Sequence, residues 1–399
     1  MWLIYILVGL VGLIIGGIYT RRRLVGALRY VGLGERGIRI ARWASLWLLY
    51  GFPVIIIVAI IVTLVFGRAS FPRFEGFWPA WLLGVPFLWS VLVVVQSLPW
   101  LLASEIAVAV VRRRRSQALA EKVRAYVVLG VMSVFALYTP LRIAAERGDV
   151  RVRNHQVGTG TSKTPFRIAF LADIQQDVHT DADKAREVYA IANASTPDLI
   201  LSGGDWINTG PDHIAETAQT AAMLKSRLGV FSVRGDHEHF AYLDRERSLR
   251  EVEAALTANG ITTVSDDVRW FQHEGKRIAI AFLNHNYVRR APDESVAAVL
   301  ARMAGADYRI AVTHQLDRKL AALLRDQVDL VLGAHTHGGQ VNPVIGVTHV
   351  KLARLETPFV DGRYKLGTTT VIVTAGVGYS IIPLRYAAPG SMELIELRL

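Results

Sequence analysis

The chain has 399 residues, 52% of them hydrophobic, and carries a formal net charge of +11 with no cysteine. That length holds a membrane segment plus one domain of ordinary size, and the missing cysteines exclude disulfides and thiolate metal sites. Residues 1–150 contain 17 Lys and Arg against 6 Asp and Glu, whereas residues 151–399 contain 28 of each. The basic excess therefore belongs to the first part. The rest has no bulk attraction for polyanions, and a nucleic-acid partner is not expected.

Four apolar stretches are long enough to be membrane spans. The first, Trp2–Tyr19, lacks the basic start and small-residue cleavage site of a secretory signal peptide and reads as a retained helix. The second covers Ala44–Phe66. The third begins at Phe77 and stays apolar to Val111, interrupted by Pro79, Pro86, Pro99 and Glu105. The fourth, Ala125–Leu141, is short and uncharged. Arg21, Arg22, Arg23, Arg29, Arg36, Arg39 and Arg42 separate spans one and two, and Arg112, Arg113, Arg114, Arg115, Lys122 and Arg124 separate spans three and four. Only Arg68 and Arg73 fall between spans two and three. Basic loops stay on the cytoplasmic side, so four crossings put the rest of the chain outside the cytoplasm. The expected layout is a multi-pass segment of the cytoplasmic membrane over residues 1–141, in contact with the lipid bilayer. A tether over 142–164 and a globular domain over 165–399 follow.

From Pro165 onward, apolar runs alternate with amphipathic helical patterns. Strands are expected at Phe166–Ile174, Asp198–Ser202, Val230–Arg234, Val268–Gln272, Arg277–Leu283, Arg309–Thr313 and Asp329–Gly333, and in the tail at Thr368–Ala375 and Met392–Leu399. Helices are expected at Asp181–Ala194, His213–Arg227, Arg247–Asn259, Glu294–Ala304 and Lys319–Asp326. This alternation predicts an α/β layered fold with helices covering sheet faces, in which ligands collect at the carboxyl ends of strands.

The chemically capable residues fall at those ends. Asp173 and Gln175 close the first strand, and Asp205 follows the second after two glycines. Asp236, His237 and Glu238 follow the third, His314 follows Arg309–Thr313, and His335 and His337 follow Asp329–Gly333. Any one of these alone is a turn residue, a helix cap or a core histidine. Five successive strand ends each delivering Asp, His or a side-chain amide can converge on one rim. Residues i and i+2 of an extended segment point to one side, so Asp173 with Gln175, and His335 with His337, each present two ligands together. Carboxylate, imidazole and amide oxygen without sulfur suit Mn, Fe, Zn, Ni or Mg-like ions. Seven candidate ligands exceed the needs of one ion and suit two ions sharing a carboxylate. His285 also follows a strand and reads as a satisfied turn histidine; His179, His213, His239 and His273 read as solvent-facing.

The order Asp-x-Gln, Gly-Asp, Gly-Asp-His-Glu, His, Gly-x-His-x-His resembles that of the calcineurin-like metallophosphoesterases. The ending Ala-His-Thr-His-Gly-Gly-Gln, the segment Thr374–Tyr379, Leu384-Arg385 and Met392-Glu393-Leu394 look like those of bacterial membrane-linked members. The resemblance covers residues 165–399. It implies a layered β-sandwich flanked by helices, here preceded by an all-α transmembrane segment. It further implies hydrolysis of a phosphoester or diphosphate by a hydroxide that two metal ions activate. Carried over by position, Asp173, Gln175 and His337 would hold the first metal, and Asp205 would bridge. Asp236, His314 and His335 would hold the second, and His237 would contact the phosphate as the catalytic residue, oriented by Glu238. Two positions depart from the usual pattern: Gln175 stands for a histidine and Asp236 for an asparagine. Both make the site harder and more anionic, which favours Mn or Mg-like ions over zinc, with iron also accommodated. The expected substrate is a phosphate-containing small molecule or lipid, membrane-linked or part of the envelope. The rival expectations are a soluble-nucleotide diphosphatase of the same fold, and a non-catalytic membrane-coupled metal-binding or signalling module.

Overall fold

A computed structural model describes residues 2–66, 77–380 and 382–399; Arg68 and Arg73 lie outside the described residues. The chain divides into two units, Met1–Ala145 with Asn342–Val350, and Glu146–Val341 with Lys351–Leu399.

In the first unit, helix α1 (Trp2–Tyr30) runs on past its apolar start, so Arg21, Arg22, Arg23 and Arg29 sit on a helix rather than in a loop. Helix α2 (Glu35–Leu46) passes through a π-helical turn, Trp47–Gly51, into α3 (Phe52–Phe66). The short α4 (Phe77–Pro79) passes through a second π-helical turn, Ala80–Gly84, into α5 (Val85–Arg114), and α6 (Gln117–Glu146) follows. Each π turn ends two residues before a proline, Pro53 or Pro86. Proline has no N–H to return to the preceding turn, so the ladder slips to a wider spacing there. Three helical runs among the described residues, Glu35–Val62, Ala80–Arg114 and Gln117–Glu146, are long and apolar enough to cross a membrane. The first expected span, Trp2–Tyr19, falls in α1. The long apolar stretch from residue 80 is one helical run, not two.

Small residues and cross-helix hydrogen bonds hold these helices together, as they do where lipid supplies no hydrophobic drive. A Cβ on Gly16 would stand 3.5 Å from Leu98, and one on Gly17 only 2.6 Å from the Tyr50 hydroxyl. The Trp89 indole donates to the Ala136 carbonyl at 3.0 Å, and Ser90 donates to the Leu48 carbonyl at 2.9 Å. Glu105 joins Arg23 at 2.9 Å and Arg124 at 3.0 Å, tying α1, α5 and α6.

The second unit begins where a tether is expected. Instead of a free linker, this segment holds the end of α6 and strand β1 (Val150–Val157), which pairs in parallel along its full length with the final strand. Its mixed Val, Arg, Asn and His sequence hides the strand, because only its last residues are buried. Then come β2 (Phe166–Leu171), α7 (Ala182–Ala194), β3 (Leu199–Ser202), α8 (Ile214–Ala221), β4 (Val230–Ser232), α9 (Arg245–Ala258), β5 (Ile261–Thr263), β6 (Asp267–His273) and β7 (Lys276–Leu283). Next are α10 (Asp293–Ala301), β8 (Tyr308–Thr313), α11 (Arg318–Leu324), β9 (Leu330–Gly333), β10 (Val344–Ile345), β11 (Thr348–His349), β12 (Gly362–Leu366), β13 (Thr369–Val373) and β14 (Gly390–Leu397). The hairpin β10–β11 belongs to the helical unit, where the Val344 N–H meets the Gln96 side chain at 3.4 Å.

Two six-stranded sheets form, in the orders β1-β14-β2-β3-β4-β5 and β12-β13-β9-β8-β7-β6. Strand alternation sorts the side chains. Ile168 and Phe170 of β2 meet Ile278, Ile280, Phe282, Ile310, Val312, Leu330 and Leu332 in a core between the sheets. Ala169 and Leu171 face the other way, onto α7, α8 and α9. Ala279, Ala281, Ala311 and Val331 face α10 and α11. The result is a β-sandwich with helices on both outer faces. β2, β3, β4 and β5 run parallel in one sheet, as do β7, β8, β9 and β13 in the other.

Candidate metal centre

Asp173 and Gln175 follow β2, Asp205 follows β3, Asp236 and His237 follow β4, His314 follows β8, and His335 and His337 follow β9. β2, β3 and β4 run parallel to one another, as do β8 and β9, so the carboxyl ends within each sheet share a rim. The pairs Asp173/Gln175 and His335/His337 are not on extended backbone, contrary to the expectation from strand geometry. Their φ angles are 51°, 46°, 75° and 49°, and Asp205 has 58°. Left-handed backbone is uncommon for residues with a Cβ and persists where the surroundings hold it. This is why β2 ends at Leu171, before the expected Ile174. The supports are visible: Asp173 N–H donates to Gly204 O at 2.9 Å, Gln175 N–H to Asp205 O at 2.9 Å, and His335 N–H to the Asp173 carboxylate at 3.1 Å. Two glycines are required by closeness alone. A Cβ on Gly235 would fall 2.0 Å from Asp205 Oδ1, and one on Gly376 would fall 2.5 Å from the Asp173 Cβ.

Two groups of ligand atoms come together, Asp236 with His314 and His335, and Asp173 with Asp205 and His314, each within 4.8 Å. His314 Nδ1 faces the Gly203 carbonyl at 2.7 Å, so Nδ1 carries the proton and Nε2 points at Asp236 Oδ2 (3.2 Å) and Asp205 Oδ2 (3.4 Å). His335 Nδ1 lies 2.9 Å from Asp236 Oδ2 and 3.2 Å from His314 Nε2. Gln175 Nε2 donates to Asp205 Oδ2 at 3.3 Å, while its Oε1 is buried with no hydrogen-bond partner. A buried carbonyl oxygen without a donor costs free energy unless a cation or a water meets it. That oxygen and the cluster of imidazole nitrogens and carboxylates fit a dinuclear divalent metal site. His337 is buried, in neither group, with Arg385 Nη2 at 3.5 Å from its Nδ1.

Electrostatics follow from this packing. Burial foremost raises the Asp173 carboxyl to about 6, with the Asp205 charge adding to it. Burial alone would raise Asp236, but hydrogen bonds from His314 and His335 hold it well below the usual carboxylate range. Burial alone would lower His335, but Asp236 and Glu356 bring it to about 9. Burial, followed by the Arg385 charge, keeps His337 well below an ordinary imidazole.

His237 stands apart from the ligand groups. Its Nδ1 meets the Asn208 carbonyl at 2.5 Å and its backbone N–H donates to Asp205 Oδ1 at 2.8 Å. Glu238 does not orient that ring, as the resemblance implied. Its carboxylate instead accepts the backbone N–H groups of Gly235 (2.6 Å), Trp206 (2.7 Å) and Asp205 (3.1 Å), splicing the β3 and β4 loops. The side chain turns toward the backbone beneath it and away from its neighbour's ring. Burial, then the Asp205 charge, raises it to about 7.

Several residues escaped sequence reasoning. Glu356 Oε1 lies 3.1 Å from His335 Nε2 and accepts from Gln315. Tyr287 donates its N–H to Asp236 Oδ1 at 2.5 Å, and its half-exposed ring stands 5.2 Å from that of His335 with Arg290 over it. Arg385, fully buried, donates to the carbonyls of His337, Ala375, Gly376, Gly378 and Ala388. Glu356 had no signal, because it follows an irregular segment with no period; Arg385 stood only in the resembling tail. His285 is the satisfied turn histidine expected, held by Asp317 at 3.2 Å. His239, however, is buried, and His273 packs edge-on against Phe166, so neither faces solvent as expected.

Residues 166–339 match the family model described as calcineurin-like phosphoesterase. This part of the chain is a calcineurin-like metallophosphoesterase domain. An uncharacterized metallophosphoesterase of Campylobacter jejuni is 26% identical over 269 residues, 67% of this chain and 68% of that one. The uncharacterized metallophosphoesterase YkuE of Bacillus subtilis is 26% identical over 58% of this chain and 79% of its own length. A zebrafish (Danio rerio) transmembrane protein with metallophosphoesterase domain is 26% identical over 67% of this chain and 61% of its own length. The chain is thus a phosphoesterase, a metal-dependent hydrolase, and the metallophosphoesterase domain shares its combination with apolar helices with relatives named for a transmembrane character.

Proposed function

We propose that the domain hydrolyses a phosphate ester or diphosphate of a membrane-linked or envelope substrate. Asp173, Gln175 and His337 would hold one divalent ion, Asp236, His314 and His335 the other, and Asp205 would bridge them, with Mn the best fit to so oxygen-rich a set. Bound there, the ions would supply Lewis acidity toward the phosphoryl oxygens and a hydroxide nucleophile at neutral pH. The observation that carries this reading is the convergence of carboxylates and imidazoles within 4.8 Å, beside an unpartnered Gln175 oxygen. His237 supplies the proton for the departing oxygen. Its Nδ1–H is committed to Asn208 O, which leaves Nε2 to carry that proton. Glu238 keeps the Asp205 and Asp236 loops in register through their backbone. Asp205→Ala should abolish hydrolysis and sharply reduce metal content; unchanged turnover in that variant would remove the bridging assignment.

The helical unit is read as a multi-pass segment of the cytoplasmic membrane with the hydrolase domain outside the cytoplasm. Arginines at the α1–α2 and α5–α6 turns support that orientation. Between α6 and β1 stand only Arg147, Gly148 and Asp149, a covalent reach of about 11 Å, which supports a membrane-linked substrate. A reporter that works only outside the cytoplasm, fused after Leu399, should be active; a cytoplasmic signal there overturns the orientation. A soluble nucleotide diphosphate is the competing substrate. The Tyr287 ring with Arg290 beside it favours that alternative, since an aromatic face and a guanidinium suit a base and a second phosphate. Turnover on a phospholipid-like diester against a nucleotide diphosphate separates the two.

A further inference from the structure

Within the helical unit lies a crevice of about 230 Å³ that the hydrolase chemistry does not use. Its walls come from α1, the Trp47–Gly51 π turn, α5 and α6, among them Leu48, Val93, Leu129 and Met132. Of the four hydroxyls that line it, all but that of Ser133 are already spent. Thr20 donates to Gly16 O at 2.8 Å, Ser45 to Arg42 O at 3.0 Å, and Ser90 to Leu48 O and Phe87 O at 2.9 and 2.7 Å. The Trp89 N–H is likewise committed to Ala136 O. The wall therefore offers water little to bond to. A dry apolar cavity of about 150 Å³ already takes a benzene ring, so this one has room for a length of hydrocarbon. The π turn that contributes Leu48 and Leu49 is a local widening of the helix, a feature found often at functional sites.

One end of the crevice is charged. Arg21 lines it, and the next residue, Arg22, lines a separate notch of about 100 Å³ with Arg23, Glu121 and Arg124. Glu105 engages Arg23 and Arg124, and Glu121 accepts from Gln117 at 2.6 Å. Among the described residues, neither Arg21 nor Arg22 has a carboxylate within ion-pair distance. An apolar slot with the unspent Arg21 guanidinium in its lining, and that of Arg22 next to it in the chain, matches an amphiphile with a hydrocarbon tail and an anionic head.

We propose that the helical unit holds one resident anionic phospholipid, an acyl chain in the crevice and its phosphate on Arg21 and Arg22. This rests on the reading of the unit as membrane-embedded. The test reconstitutes the full chain in nanodiscs of phosphatidylcholine doped with a phosphatidylglycerol that carries a photoreactive group on its acyl chain, and maps adducts by mass spectrometry. Adducts should concentrate on Leu48, Val93, Leu129 and Met132. Unlabelled phosphatidylglycerol should displace them better than phosphatidylcholine, by about fivefold for each of the two arginines engaged. Arg21→Gln with Arg22→Gln should erase that preference, and Met132→Trp should suppress crevice adducts while leaving those on the outward Leu64 and Val65 unchanged. Adducts on Leu64 and Val65 but none in the crevice overturn the bound lipid while leaving the membrane reading intact. No adducts anywhere overturn both. Equal displacement by the two lipids overturns the role of the arginines, and the wild-type map decides even if a variant fails to fold.

Discussion

The strand ends of the first sheet carry Asp173, Gln175, Asp205 and Asp236, whereas those of the second carry His314, His335 and His337. One sheet delivers oxygen and negative charge; the other delivers nitrogen and takes its protonation from what it faces. Neither half is comfortable alone. The three carboxylates repel each other, and Asp173 rises through desolvation first and the nearby Asp205 charge second. Across the seam, His314 and His335 rise because Asp205 and Asp236 stand opposite them. The centre is thus an electrostatic clasp between the two sheets, and a cation there would bind both sides at once. His237 belongs to the acidic sheet by sequence and touches Asp205, but it is in neither group of converging ligand atoms, which fits the proposal that it serves the chemistry rather than the metal.

The largest expected effect tests that separation. His237→Gln should lower kcat by roughly 10²- to 10⁴-fold, the usual share of one acid or base, while metal content stays near wild type. Loss of metal in step with activity would place His237 inside the clasp instead. Glu356→Gln should act on the imidazole side. Removing the carboxylate behind a ligating histidine typically weakens metal affinity about 10- to 100-fold. Titration of the chelator-stripped protein with Mn should show that weakening, with kcat at saturating metal little changed. A fall in kcat alone would mean that Glu356 meets substrate.

Much of this was legible in the sequence, and the reasons differ by element. The parallel strands β2, β3, β8 and β9 are continuous apolar runs buried on both faces, so they stand out. Asp181 marks a helix start and accepts the Lys184 N–H as a cap should, whereas Asp244 and Asp317 cap α9 and α11 two or three residues ahead of the expected starts. The seven candidate ligands stood out because their order along the chain is itself the signal. β1 was not, since polar side chains at the edge of a sheet carry no period to read. The left-handed backbone at five of the seven candidate ligand positions was not either. Asp, Gln and His give no local hint of a positive φ, which the neighbouring loops impose. Glu356, Asn208 and Arg385 reach the site through partners 21 to 48 residues away, a separation no local pattern reports.

Chelation probes the acidic sheet by itself. Without a cation, Asp173 at about 6 and Glu238 at about 7 keep their protons in the folded protein over a range where the unfolded chain has lost them. Such groups add stability at low pH, and that stability drains away as pH climbs from about 4 to about 7. The change is up to about 3 kcal/mol for one group. A bound cation favours the deprotonated carboxylates and should flatten the slope, adding about 2.7 kcal/mol at a hundredfold excess over Kd. Thermal melts at pH 5 and 7.5, with and without chelator, should show the midpoint falling with pH only in the stripped protein. A stripped protein more stable at pH 7.5 would break the account of mutual repulsion.

The smallest effect addresses the one ligand position where the acidic sheet uses a neutral group. Gln175 offers a carbonyl oxygen, and Gln175→His would place an imidazole among the carboxylates. An imidazole is a softer and stronger ligand for zinc than an amide oxygen, and burial would disfavour its proton at this position, as burial foremost does at His337. The exchange should therefore move metal preference from Mn toward Zn by a few-fold in competition, with activity in Mn changed by less than tenfold, under about 1.4 kcal/mol. It also removes the hydrogen bond from Gln175 to Asp205, since the Nε2 donor at 3.3 Å goes with the amide. If preference does not move, the Gln175 oxygen is not a ligand. Its burial without a partner would then mark a bound water, and the first ion would be held by Asp173, Asp205 and His337 alone.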